Sequence, residues 1–229
     1  SWLNDKSTNA TRGRTFSIYT VINLTVIAVG QLMLMLDDPR SFSLFILASI
    51  LVSIAAVPVS LTKSDAPPPV ALVKIRLRQL YRQSPVGVVG CLAVGMANGS
   101  FWALGPVFAL NENTSTTNVA LFMSITVIAG AIGQWPLGWM SDKTDRRKVI
   151  MLAALGAALA GLSTIPLNQF GENGIFVSMF LYGLFALPLY ALSVAHTNDF
   201  VQPEHYVETA GGLLLLFALG AVAGPLLAA

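Results

Sequence analysis

Histidines and carboxylates cluster in one stretch only, His196-Thr-Asn-Asp199-Phe-Val-Gln-Pro-Glu204-His205-Tyr-Val-Glu208. Imidazole and carboxylate groups side by side can bind a metal ion or run general acid–base chemistry. The same stretch holds no lysine or arginine, whereas an earlier loop carries Lys143, Arg146, Arg147 and Lys148 beside Asp142 and Asp145. Ion pairing is therefore the better reading. Asp199, Glu204 and Glu208 are candidates for a latch to Arg146, Arg147 and Lys148, and Glu208 also precedes an apolar helix whose positive end suits its charge. No catalytic residue, metal site or cofactor is expected, and the single cysteine, Cys91, rules out an internal disulfide framework.

The basic loop reads Gly138-Trp-Met-Ser-Asp142-Lys143-Thr-Asp145-Arg146-Arg147-Lys148. A glycine four positions before an acidic residue lets two helices approach closely at their ends. Asp142 is placed to face the positive end of a neighbouring helix and to pair with an arginine.

A third group is uncharged. Asn23, Gln31, Asn98 and Gln134 fall within apolar runs, as do Tyr182 and Tyr190. Amides in hydrocarbon are costly unless partnered, so they face the interior of a helix bundle. There they either join helices, at about 0.6–2 kcal/mol each, or line a solute pathway. Gly95, Gly99, Gly105 and Pro106 in one run, and Gly183 with Pro188 in another, mark bend points.

The elements that hold these groups follow from composition. Of 229 residues 55% are hydrophobic and only 10% charged, with a mean hydropathy of +0.69. Soluble domains average roughly 25% charged residues, so this chain is not coated by water. A net charge of +2 is too small to suggest a nucleic-acid partner. The partner this composition implies is the lipid bilayer.

Seven stretches approach the roughly 20 apolar residues a spanning helix needs: 15–36, 42–62, 85–110, 118–139, 149–167, 175–195, and 209 to the end. None has the alternation of a strand barrel, so the fold class is all-α, a polytopic membrane helix bundle. The segments before the first, after the second and after the fourth span carry every lysine and arginine except Arg40. That asymmetry places them in the cytoplasm. The triplet Asn113-Thr-Ser then faces outward and matches a glycosylation acceptor. Between the second and third spans, Pro67-Pro68-Pro69 favours extended backbone. The basic stretch from Val70 to Arg82 that follows predicts a surface helix against anionic headgroups.

The loop from Gly138 to Lys148 resembles the signature of the major facilitator superfamily, and Asp145 stands where that signature has glycine. Glycine pairs elsewhere, Gly133-Gln134 and Gly224-Pro225 among them, resemble the bacterial YcaD type within it. The resemblance implies seven spans of a twelve-span fold, numbered helices five to eleven. Residues 1–62 end the N-terminal half, 63–84 form the central cytoplasmic loop, and 85–229 form an incomplete C-terminal half. The chain opens on Ser1, without a signal-peptide layout, and is expected to lack helices one to four and twelve, which become its partners in the same transporter. Facilitator halves are repeats, so Gly30 of helix five is expected to correspond to Gly224 of helix eleven. The resemblance also places helices five, seven, eight and ten around the cavity. Asn23, Gln31, Asn98, Trp102, Gln134, Tyr182 and Tyr190 become the candidate lining, and Gly138, Asp142, Lys143, Arg146 and Arg147 the conformational-switch loop.

The function implied is alternating-access transport of a small organic solute in a bacterial inner membrane, as in drug or metabolite efflux. A polytopic membrane enzyme using His196 and His205 is the alternative from a different class, and a seven-span receptor is a third. All carboxylates and both histidines lie in loops or at helix ends. Any proton coupling is therefore expected in the helices this chain lacks.

Overall fold

The structure is a computed structural model that describes residues 12–38, 41–61, 76–111, 116–202 and 205–229. The proline run at 67–69, Arg40, Asn113 and Glu204 lie outside these. The described residues form helices α1 (Arg12–Leu32), α2 (Ser43–Leu61), α3 (Leu77–Gln83), α4 (Pro85–Asn111), α5 (Thr116–Lys143), α6 (Arg146–Leu167), α7 (Glu172–Ala186), α8 (Leu189–Asn198) and α9 (Tyr206–Ala228), with no strand among them. Single 3-10 turns follow α1 and α6. The all-α fold class holds.

Five helical stretches are long and apolar enough to cross a membrane: Pro85–Leu110, Thr117–Lys143, Arg146–Phe170, Glu172–Asn198 and Tyr206–Ala228. Ile22–Met35 and Ser43–Pro58, where the first two spans are expected, are shorter apolar helices. Large apolar side chains face outward along the bundle, as Leu152, Leu155, Leu159, Leu162 and Ile165 do on α6. Such a surface suits hydrocarbon rather than water. The protein is an integral membrane protein.

Glycine sets how the helices cross. α4 and α9 make the most extensive contact. A Cβ on Gly95 or Gly99 would strike the carbonyl oxygens of Phe217 and Ala221, while one on Gly220 or Gly224 would strike those of Leu92 and Met96. Each backbone sits where the other's side chains would be, the close approach that small residues permit between membrane helices. A second crossing joins α5 to α7, with Gly133 against the Leu184 carbonyl and Gly183 against that of Thr126. α6 leans on α7 where Gly156 faces the Phe185 ring. α1 meets α5, where the Ser124 hydroxyl donates to the Ala28 carbonyl at 3.4 Å. None of the described side chains of α2 is buried. Its Ser49, Ser53 and Ser60 hydroxyls bond backward to their own helix.

The sixth expected span is not one continuous helix. It divides into α7 and α8 at Leu187–Pro188. Pro188 has no N–H to offer the Leu184 carbonyl, and that carbonyl packs on Gly133 instead. Pro58, Pro106, Pro136, Pro166 and Pro225 all stay within helices.

The expected surface helix from Val70 to Arg82 is described only as α3. Leu80 of α3 is buried with Cys91 of α4 and Leu213 of α9, which docks it against the bundle. Ser84 then starts α4, accepting the Gly87 N–H at 3.2 Å, with Pro85 in the first helical position.

Candidate functional site

Asp145 caps α6, its carboxylate accepting the Arg147 N–H at 3.0 Å. Its backbone angles, φ −63° and ψ 114°, are extended. An acidic cap therefore fits where the resembled signature has glycine, because the turn needs no left-handed residue. Thr144 closes the end of α5, its hydroxyl donating to the Met140 carbonyl at 2.7 Å.

The cap projects Arg146 into a three-way junction. Its Nη2 lies 2.9 Å from Asp142 Oδ1, its Nη1 donates to Ser141 Oγ at 3.1 Å, and its Nε lies 2.8 Å from Asp199 Oδ2. One planar guanidinium thus ties the end of α5, the start of α6 and the residue closing α8. Arginine alone among the cations has a fork that can do this. The Arg146 side chain is 23% exposed, against 69% for Asp142 and 46% for Asp199. The carboxylates are partly hydrated, and the junction is a network rather than a buried pair.

The other loop cations point elsewhere. Lys143 Nζ lies 4.2 Å above the Trp139 ring, and the Arg147 guanidinium lies 5.9 Å from the centre of Phe200. Phe200 stacks edge-on against His196 at 5.0 Å. Arg147, Phe200 and His196 line an open polar cleft of about 390 Å³ whose walls also include Ser141, Asp142, Asp145, Arg146 and Asp199.

The expected acidic residues separate here. Asp199 reaches Arg146, while Glu208 instead lies 3.5 Å from His205. Glu208 and His205 line a small cleft with Arg76 and with Gln79 and Gln83 of α3, away from Arg146. Gly138 makes no close approach, since a Cβ there meets nothing within 4 Å. The expected Gly30–Gly224 correspondence likewise does not extend to packing, because Gly30 faces open space and Gly224 is wedged on α4.

The uncharged candidates are spread along the bundle. Trp102 and Tyr182 flank Phe101, whose ring centre lies 5.4 Å from the first and 5.6 Å from the second, and Asn98 lies three residues before Phe101 on α4. The Tyr182 hydroxyl donates to the Ala97 carbonyl at 3.4 Å. Asn98 is buried with its Oδ1 unpartnered. Tyr190 lies beyond the Pro188 break, edge-on to Phe217 at 5.0 Å. Asn23 is exposed, and Gln31 and Gln134 are half-buried.

Sequence reasoning missed a buried polar seam between α4 and α8. Gly87 and Gly90 form shelves for Thr197 and Ser193, and Thr197 Oγ1 lies 3.4 Å from Ser84 Oγ. The signal was present as small residues three apart facing hydroxyls four apart.

Known proteins share this sequence widely. The chain is 25% identical over 220 residues to the uncharacterized MFS-type transporter YcaD of Escherichia fergusonii, covering 95% of this chain and 56% of that protein. It is 26% identical over 219 residues to an uncharacterized MFS-type transporter of Yersinia pestis, covering 93% of this chain and 55% of the relative. The YcaD protein of Escherichia coli O139:H28 is 24% identical over 226 residues. The chain spans about half the length of the curated relatives it matches. The model of the Major Facilitator Superfamily matches residues 1–228. Glycine-crossed apolar helices and an arginine junction at their basic end are thus features of a chain that belongs to the major facilitator superfamily.

Proposed function

We propose that this chain forms the central and C-terminal part of a secondary transporter that moves a small organic solute by alternating access. Residues 1–62 end one half, 63–84 link the halves, and 85–229 belong to the second. The basic end faces the cytoplasm of a bacterial inner membrane. Family membership favours transport over catalysis or signalling. The observation that carries the mechanism is the Arg146 junction, where one side chain holds three helix ends through partly hydrated contacts. Such contacts can be exchanged during a conformational cycle at low cost.

In this reading Gly138, Asp142, Lys143, Arg146 and Arg147 form the switch loop, and Asp199 is its latch partner. Asn23, Gln31, Asn98, Trp102, Gln134, Tyr182 and Tyr190 contribute an amide- and aromatic-lined wall. A wall without charged groups near mid-membrane suits a neutral or amphipathic solute, because a multiply charged one has no counter-charge there. The test is efflux of a fluorescent amphipathic dye from cells expressing the full-length protein, compared with Asp142→Ala at equal membrane abundance. Faster efflux in the parent than in the variant supports the reading. Equal dye content in parent, variant and empty cells overturns it.

A further inference from the structure

The cleft beside Arg146 contains a histidine that the junction does not use. His196 is only 4% exposed. It sits in the last turn of α8, three residues before Asp199. Among the described residues neither ring nitrogen makes a hydrogen bond, and the ring's one specific contact is with Phe200. Its remaining edge opens into the cleft.

The charges facing it come from every neighbouring element. α5 supplies Asp142, the turn supplies Asp145, α6 supplies Arg146 and Arg147, and Asp199 follows on the same face. α4, packed on the same helix, presents Ser84 and Gly87, which carry no charge. Glu208 of α9 is engaged with His205 near α3. Asp145 is committed to the α6 cap and Asp142 to Arg146. Asp199 is also paired with Arg146, but it alone of these carboxylates follows His196 on the same chain segment, three residues on, so its contact with Arg146 is the one a positive charge on His196 would contest.

We infer that this cleft is a proton-sensing site, in which His196, once protonated, draws Asp199 away from Arg146 and loosens the joint between α8 and the α5–α6 turn. Imidazole is the side chain whose ordinary charge change falls between pH 5 and 8. When neutral, it leaves the Arg146–Asp199 contact undisturbed. When charged, it competes for Asp199 and repels both Arg146 and Arg147, Arg147 being held beside it on Phe200. The ligand is one hydrogen ion from the solution bathing the basic end. The inference rests on reading the Arg146 junction as the end that opens.

The test uses full-length protein in nanodiscs, free of other cysteines, with spin labels at positions 144 and 202. Distances are read by pulsed electron paramagnetic resonance at about pH 8 and about pH 5.5. The parent is expected to give a narrow distribution at the higher pH and a longer, broader one at the lower. His196→Asn and His196→Gln, both uncharged, are expected to keep the narrow distribution at both. Asp199→Asn is expected to be broad at both, which tests the junction independently of the sensor. A parent distribution that does not change with pH overturns the inference, as does an unchanged pH response in both histidine variants. A narrow Asp199→Asn distribution at both pH values overturns the reading of the junction itself.

Discussion

Arg146 Nε and Asp199 Oδ2 lie 2.8 Å apart although 53 residues separate them in the chain. The contact joins the start of α6 to the end of α8 without passing through the apolar core. A single exposed ion pair contributes about 0–1 kcal/mol. The value of this one lies in its geometry, since the same guanidinium also holds Asp142 and Ser141.

Arg146→Lys keeps the charge and removes the fork. Lysine carries its three donors on one nitrogen, so it cannot reach the three separate positions that Nε, Nη1 and Nη2 of arginine occupy. In the full-length protein this variant is expected to transport as poorly as Asp142→Ala, severalfold below the parent at normal abundance. Initial rates of dye efflux check it. Parent-like rates would show that charge suffices and the fork is dispensable.

The glycines divide into two classes by what surrounds them. Gly99→Ala and Gly220→Ala are expected to destabilise by about 1–3 kcal/mol, the usual cost of overpacking, because each new methyl meets a backbone carbonyl on the facing helix. Gly138→Ala is expected to be neutral or stabilising by up to about 1 kcal/mol, since its site is open and alanine favours helix. Thermal unfolding in detergent separates the two classes.

Orientation is testable with an impermeant thiol reagent in a Cys91→Ser background. A cysteine at position 114 is expected to react from outside intact cells, and one at position 144 only after permeabilisation. The reverse pattern would invert the topology.

Among the described spans, charged side chains stand only at helix ends: Asp142, Lys143, Arg146, Arg147, Lys148, Glu172 and Glu208. Neutralising each carboxylate and histidine of this chain in the intact transporter is expected to leave proton flux coupled to substrate flux. Loss of coupling with preserved downhill exchange, from one change outside the Asp142 loop, would place the coupling group here.

Much of this arrangement was legible before any coordinates. Apolar runs located α4 to α9, and the i, i+4 spacing of Asp142 and Arg146 announced their pair. Asp199 was legible as a partner because no cation lies near it in sequence. Glu208 was not, because its place depends on how α3 docks through Leu80, a contact no local pattern encodes. Nor could sequence rank the 19 glycines. Gly138 resembles Gly133 in the chain, yet only Gly133 meets a neighbour's backbone. The six prolines inside the apolar runs look alike as well, and only Pro188 interrupts its helix, where the freed Leu184 carbonyl packs against Gly133.

The division at Pro188 gives the sixth span two separate seats. Gly133, Gly156 and Gly183 let α7 sit against α5 and α6, while Gly87 and Gly90 let Thr197 and Ser193 of α8 sit against α4. The helix is interrupted between the two seats. A displacement of Asp199 therefore acts first on α8 and its seat on α4, and reaches Tyr182 on α7 only through the joint at Leu187–Pro188.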